Sequence, residues 1–121
     1  MATAEDIMKG GTSAGQAQAI NGQVSATMTG AGTTQGNATA ITASISVFTT
    51  TAASTGGVLA DSMIGDEYEI MNLGANTLTV YPPSGGRINA IATNGGFSLA
   101  TNTACKVRKF TATRWMAWLS A

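Results

Sequence analysis

Histidine is absent from this chain of 121 residues, and cysteine occurs once, at Cys105. Without histidine, the Ser-His-carboxylate and Cys-His arrangements that activate most nucleophiles cannot be assembled, and a lone thiol closes neither an internal disulfide nor a zinc site. Proline is confined to Pro82 and Pro83, and charged residues make up only 10%, balanced to zero net charge. A typical domain is about a quarter charged, and nucleic-acid binding needs a basic footprint that this chain lacks. No apolar run reaches membrane-spanning length. The N-terminus, MATAEDIMKGG, has no apolar core of the kind a secretory signal carries, so none is expected. The glycine pairs at Gly10-Gly11, Gly56-Gly57, Gly85-Gly86 and Gly95-Gly96 are not followed by a lysine and a helical pattern, which excludes a phosphate loop. The residues supply no catalytic, cofactor or metal motif. The chain is expected to be no enzyme, to hold no cofactor or metal, and to bind neither nucleic acid nor membrane.

What is abundant is glycine, alanine and threonine, with 44% hydrophobic residues. That is too apolar for a disordered chain, and the threonine runs and scarce leucine speak against helices. Residues 1–18 read as an extended arm with a small charged knot at Glu5, Asp6 and Lys9, and Glu5, Asp6, Ile7 and Lys9 are the candidates for ordering by a partner, the alternative being a frayed terminus without a role. Residues 19–121 read as a single β domain. In 19–28, Ile20, Val24, Ala26 and Met28 share one face, and residues 39–49 place Ile41, Ala43, Ile45 and Val47 on one side. Tyr68 and Ile70 alternate with Glu67 and Glu69, and Cys105 and Val107 with Lys106 and Arg108. Lys109 falls in the inward phase, so a bulge is expected near Arg108-Lys109 to turn it out. The expected core is Ile41, Ile45, Val47, Tyr68, Ile70, Leu78, Val80, Val107 and Trp115. Eight or so short strands with turns between them predict an all-β fold, a small antiparallel sandwich or barrel, with a jelly-roll-like sandwich preferred.

The most informative stretch is 72–89, NLGANTLTVYPPSGGRIN. Leu78 and Val80 face one way, and Thr77, Thr79 and Tyr81 the other. Gly74-Ala75-Asn76 can turn the chain by adopting positive φ, and the two prolines end the strand because neither has an N–H for a ladder. Four acidic residues, Asp61, Asp66, Glu67 and Glu69, fit no calcium loop and read as a solvated face. Lys106, Arg108, Lys109 and Arg114 read as cross-strand partners of the acidic strand or as contacts to a neighbouring protein. Tyr81, Trp115 and Trp118 could stack on sugars but read more simply as core and contact residues. At the end of the chain Trp115, Ala117 and Leu119 share one face and Met116 and Trp118 the other. A strand apolar on both sides suits a contact with another subunit, so Met116 and Trp118 are the candidate interface.

The order NLG, LTVYP, PxSGG, IN, then FSL in 90–100 and a Trp-bearing end, TATRWMAWLSA, resembles a module of structural proteins of tailed bacteriophages. The resemblance covers roughly 57–121. It implies a virion protein made in the bacterial host cytoplasm, most simply a capsid decoration (cement) protein on the outside of the head, a homotrimer bound to the major capsid protein. The alternative it implies is a tail-fibre or receptor-binding module that contacts a host-surface glycan. It brings no active site.

Overall fold

A computed structural model of the chain describes residues 24–120. The arm at 1–18, with Glu5, Asp6, Ile7 and Lys9, and the first residues of the β domain, 19–23, lie outside the described residues. Within them ten strands follow in order: β1 (Val24–Thr29), β2 (Thr39–Ile41), β3 (Ile45–Thr50), β4 (Gly56–Leu59), β5 (Glu67–Asn72), β6 (Leu78–Tyr81), β7 (Arg87–Ile88), β8 (Phe97–Leu99), β9 (Thr103–Lys109) and β10 (Arg114–Leu119). They form two sheets, one in the order β1-β3-β5-β9-β10-β7 and one in the order β2-β4-β6-β8.

The all-β expectation holds, but the antiparallel sandwich or barrel, with its preferred jelly-roll form, is corrected. β1, β3 and β5 run parallel in the large sheet, and β2, β4 and β6 run parallel in the small one. The chain therefore coils as a short β-solenoid, each coil placing one strand in each sheet. A parallel pair needs a crossover, and here the crossover of one sheet is the strand of the other. Apart from an isolated antiparallel bridge between Ala31 and Gly56, antiparallel pairing begins after the third coil, where β9 pairs with β5 and β10, and β8 with β6, while β10 pairs parallel with β7. A period-two pattern reports which face is buried, not the direction of the neighbouring strand.

The corners between sheets reset the phase. Residues 42–44 carry the chain from β2 to β3, and the inward positions change from Ile41 to Ser46 and Phe48, all fully buried. Ile45 and Val47, expected in the core, are half-buried on the outer side. A similar correction applies to β1, whose pairing with β3 is irregular between Ser25 and Met28. Met28 packs on the core, whereas Val24 is exposed. Phe48→Ala should thus cost about 3–5 kcal/mol and Ile45→Ala clearly less, measured by chemical denaturation. Equal losses would put β3 in the opposite phase.

Both sheets contribute to a single core. Ile41, Leu59, Leu78, Val80 and Leu99 from the small sheet meet Phe48, Tyr68, Ile70, Ile88, Cys105, Val107 and Trp115 from the large one. The two sheets come so close that Gly57 has no room for a side chain. A Cβ there would lie 2.8 Å from Ile41 Cδ1 and 2.9 Å from Phe48 Cζ. Gly74 is also required by packing and not by a left-handed turn. Its φ is not positive, and a Cβ would meet the Thr51 side chain. β6 ends at Tyr81, as the prolines dictate.

The bulge expected at Arg108-Lys109 is not formed, since β9 keeps register with β5 and β10. Lys109 points inward and is 5% exposed. Its Nζ donates to Asp61 Oδ1 and to the Ser62 carbonyl, both at 2.6 Å, and lies 5.9 Å from the centroid of the Trp115 ring. A buried ammonium is tolerated when it is paired and hydrogen-bonded, so a partner was supplied in place of a bulge. The Lys109 hydrogen bond, helped by the Ser62 backbone N–H, holds the Asp61 carboxyl below its ordinary value of 3.8. A carboxyl lowered by folding stabilises the fold above its unfolded value and loses that contribution as pH falls through the folded one. Stability should therefore decline below about pH 4, and Asp61→Asn should flatten part of that decline in melts taken across pH.

Candidate functional site

The outer face of the large sheet is built from the alternate residues that the core does not use. On β5 these are Glu67, Glu69 and Met71, on β9 Ala104, Lys106 and Arg108, on β10 Met116 and Trp118, and on β3 Ile45 and Val47. The ladder aligns them in rows. In one row Ile45, Glu69, Lys106 and Trp118 stand side by side across four strands. In the next, toward Arg108, Glu67 and Arg108 stand beside Met116. On the other side, Val47, Met71 and Ala104 form a third row.

The structure thus places Met116 and Trp118 together on a rigid strand and directed away from the core, 41% and 50% exposed. Trp115 and Ala117, on the opposite side of the same strand, face inward. Leu119 shares that inner side but is exposed at the end of β10. Beside Trp118 lies an open hollow of about 200 Å³, lined by Glu69, Ala104, Lys106, Trp118, Leu119 and Ser120 and mostly apolar. Cys105 also lines it but is buried, and burial, with the nearby Glu69 charge, pushes its thiol up to about 12. A thiol held neutral in this way is a packing residue and not a nucleophile.

The acidic residues do not converge. Asp61 pairs with Lys109, and Asp66 accepts the Met63 backbone N–H at 3.1 Å. Glu67 pairs with Arg108 at 2.6 Å, and Glu69 remains on the outer face. Among the described residues no group of acidic or cysteine side chains is arranged to hold a metal ion. The Glu67–Arg108 pair is solvent-exposed and contributes about 0.2–1 kcal/mol, the usual range for such pairs. β5 and β9 are therefore cross-strand neighbours, with Glu67 beside Arg108 and Glu69 beside Lys106, whereas Lys109 pairs with Asp61 outside the strands and Arg114 donates to the Asn89 carbonyl. Tyr81 lies on the small sheet, with its hydroxyl donating to the Thr33 carbonyl at 3.3 Å, far from Trp118 in the ladder. Trp115 is 1% exposed. The three aromatic residues do not form a common stacking platform.

Sequence reasoning missed Ile45, Val47 and Met71 as members of this face. The available signal was Phe48, the bulkiest side chain of its strand, whose inward placement sets the phase of β3. A second exposed apolar group, Met63, Ile64 and Phe110, flanks the hydrogen bond from Gly65 N–H to the Lys109 carbonyl at one side of the solenoid. No family model matches the chain, and no curated protein or solved structure was found to be similar to it.

Proposed function

We propose that this protein is a non-catalytic structural component of a bacteriophage virion, bound to the major capsid protein on the outside of the head as a symmetric oligomer that stabilises the shell. The observation that carries this reading is the outer face of the large sheet, where Met116 and Trp118 are exposed on rigid, hydrogen-bonded strands. An apolar surface held on strands is suited to lasting protein contact, because little conformational entropy is lost when it is covered. The low charge of the chain adds weak self-repulsion, which favours close packing of many copies. The motif order in 57–121 supports the phage class. The exposed Met63, Ile64 and Phe110 offer a separate surface to the shell.

Quantitative proteomics and antibody labelling of purified virions test this reading. Many copies spread over the head are expected. A few copies at the tail would replace it with the fibre or receptor-binding reading, and absence from virions would overturn both.

A further inference from the structure

We infer that two copies of this chain pair face to face through the outer surface of the large sheet, about a two-fold axis parallel to the strands and midway between β5 and β9. The basis is the arrangement of charge and size on that surface. Sheets that stack face to face lie about 10 Å apart with their strands roughly aligned. A two-fold axis in that position keeps each row and exchanges strands across it, so β5 of one copy covers β9 of the other and β3 covers β10. Each row then meets its own mirror order.

Glu69 and Lys106 stand in one row on β5 and β9, so Glu69 of each copy lies over Lys106 of the other, twice per pair. Among the described residues neither is in an ion pair within its own chain. Glu67 and Arg108, one row along, are exchanged in the same way. Ile45 and Trp118 end the Glu69–Lys106 row, so each Trp118 lies over Ile45 of the second copy. In the third row Met71 stands beside Ala104, so the long side chain of one copy lies over the short one of the other. Ala104 forms part of the floor of the hollow beside Trp118, and its volume of about 200 Å³ gives a methionine side chain room to enter. Negative over positive and large over small are both produced by a single operator. A self-complementary patch of this kind is what an isologous contact requires. A column of one sign in place of the adjacent acidic and basic columns would have forbidden it.

The test uses the full chain and two single charge reversals, Lys106→Glu and Glu69→Lys. Analytical ultracentrifugation should find a dimer for the unaltered protein. Each variant alone sets like charges against each other at both contacts and should dissociate about a hundredfold more readily or further. Mixed in equal amounts, the two variants should form a one-to-one heterodimer. The Lys106→Glu copy is acidic at both positions and the Glu69→Lys copy basic at both, so every contact between them joins opposite charges. Charge effects confined to one chain cannot produce that rescue. Ala104→Gln is an independent probe that fills the hollow without changing charge, and it should also be monomeric. Far-ultraviolet circular dichroism establishes that each variant is folded. An unaltered protein that is monomeric or trimeric overturns the inference, as do folded variants that dimerise unchanged or a mixture that stays monomeric. The pairing does not rest on the virion reading: a dimer absent from virions would leave it standing and remove that reading alone.

Discussion

Asn72→Ala should destabilise the protein by about 3–6 kcal/mol, enough to unfold a domain of ordinary marginal stability. Asn72 is fully buried at the end of β5, and its amide is saturated. Its Oδ1 accepts from Thr51 Oγ1 at 2.9 Å and from the Gly74 backbone N–H at 3.1 Å. Its Nδ2 donates to the carbonyls of Asn76 at 2.8 Å and Leu99 at 2.9 Å. These four bonds join the loop after β3, the turn after β5 and the end of β8. Alanine would remove both halves of the amide at once. Asn76 is exposed, so water can reach that region, but Thr51, Gly74 and Leu99 are buried and would keep unmet hydrogen-bonding groups. Each such group costs about 1–3 kcal/mol. Asn72→Asp is the informative companion, because it retains the acceptor but loses both donations and buries a charge. It should be destabilised as well, and more so at neutral than at acidic pH, where the carboxyl is neutral. Denaturation midpoints near that of the unaltered protein for both variants would show that the network contributes little.

Trp115→Ala should cost about 3–5 kcal/mol in the same measurement. Trp115 has the largest of the fully buried side chains and stands beside Tyr68 and Lys109. Its ring centroid lies 5.9 Å from that of Tyr68 in a tilted arrangement, and the ammonium of Lys109 also lies 5.9 Å from it. Truncation would leave a cavity under β9 and β10 and strip an aromatic neighbour from a buried cation. Trp115→Phe restores most of the apolar volume and should recover the larger part of the loss. Trp118→Ala, three residues away on the outer side, should cost the isolated chain far less, because its side chain is half exposed. If Trp118→Ala were the more damaging of the two in a monomer, the inside and outside of β10 would have to be exchanged.

The sequence alone determined that the domain is all-β and which apolar residues of β5, β6 and β9 lie inside. The alternation of Tyr68 and Ile70 with two glutamates, and of Leu78 and Val80 with Thr79 and Tyr81, is governed by the geometry of a strand with one buried face, which is local. The paired prolines closed β6 for an equally local reason, the missing N–H. Met116 and Trp118 were legible as a surface pair because Trp115 claims the other side of the same strand. Tertiary structure decided the rest. Parallel coiling depends on which segment lies beside β3, a contact between residues far apart in the chain that alternation does not encode. The corner at 42–44 reversed the phase of β3 because a turn between sheets can consume an odd or an even number of residues, so Ile41 is inside while Ile45 and Val47 are outside. Lys109 entered the core because Asp61, 48 residues earlier, was brought within 2.6 Å of it. The rows that set Glu69 beside Lys106 and Met71 beside Ala104 exist only once β5 and β9 are in register, since hydrogen bonding between strands, and not spacing along the chain, fixes which side chains share a row.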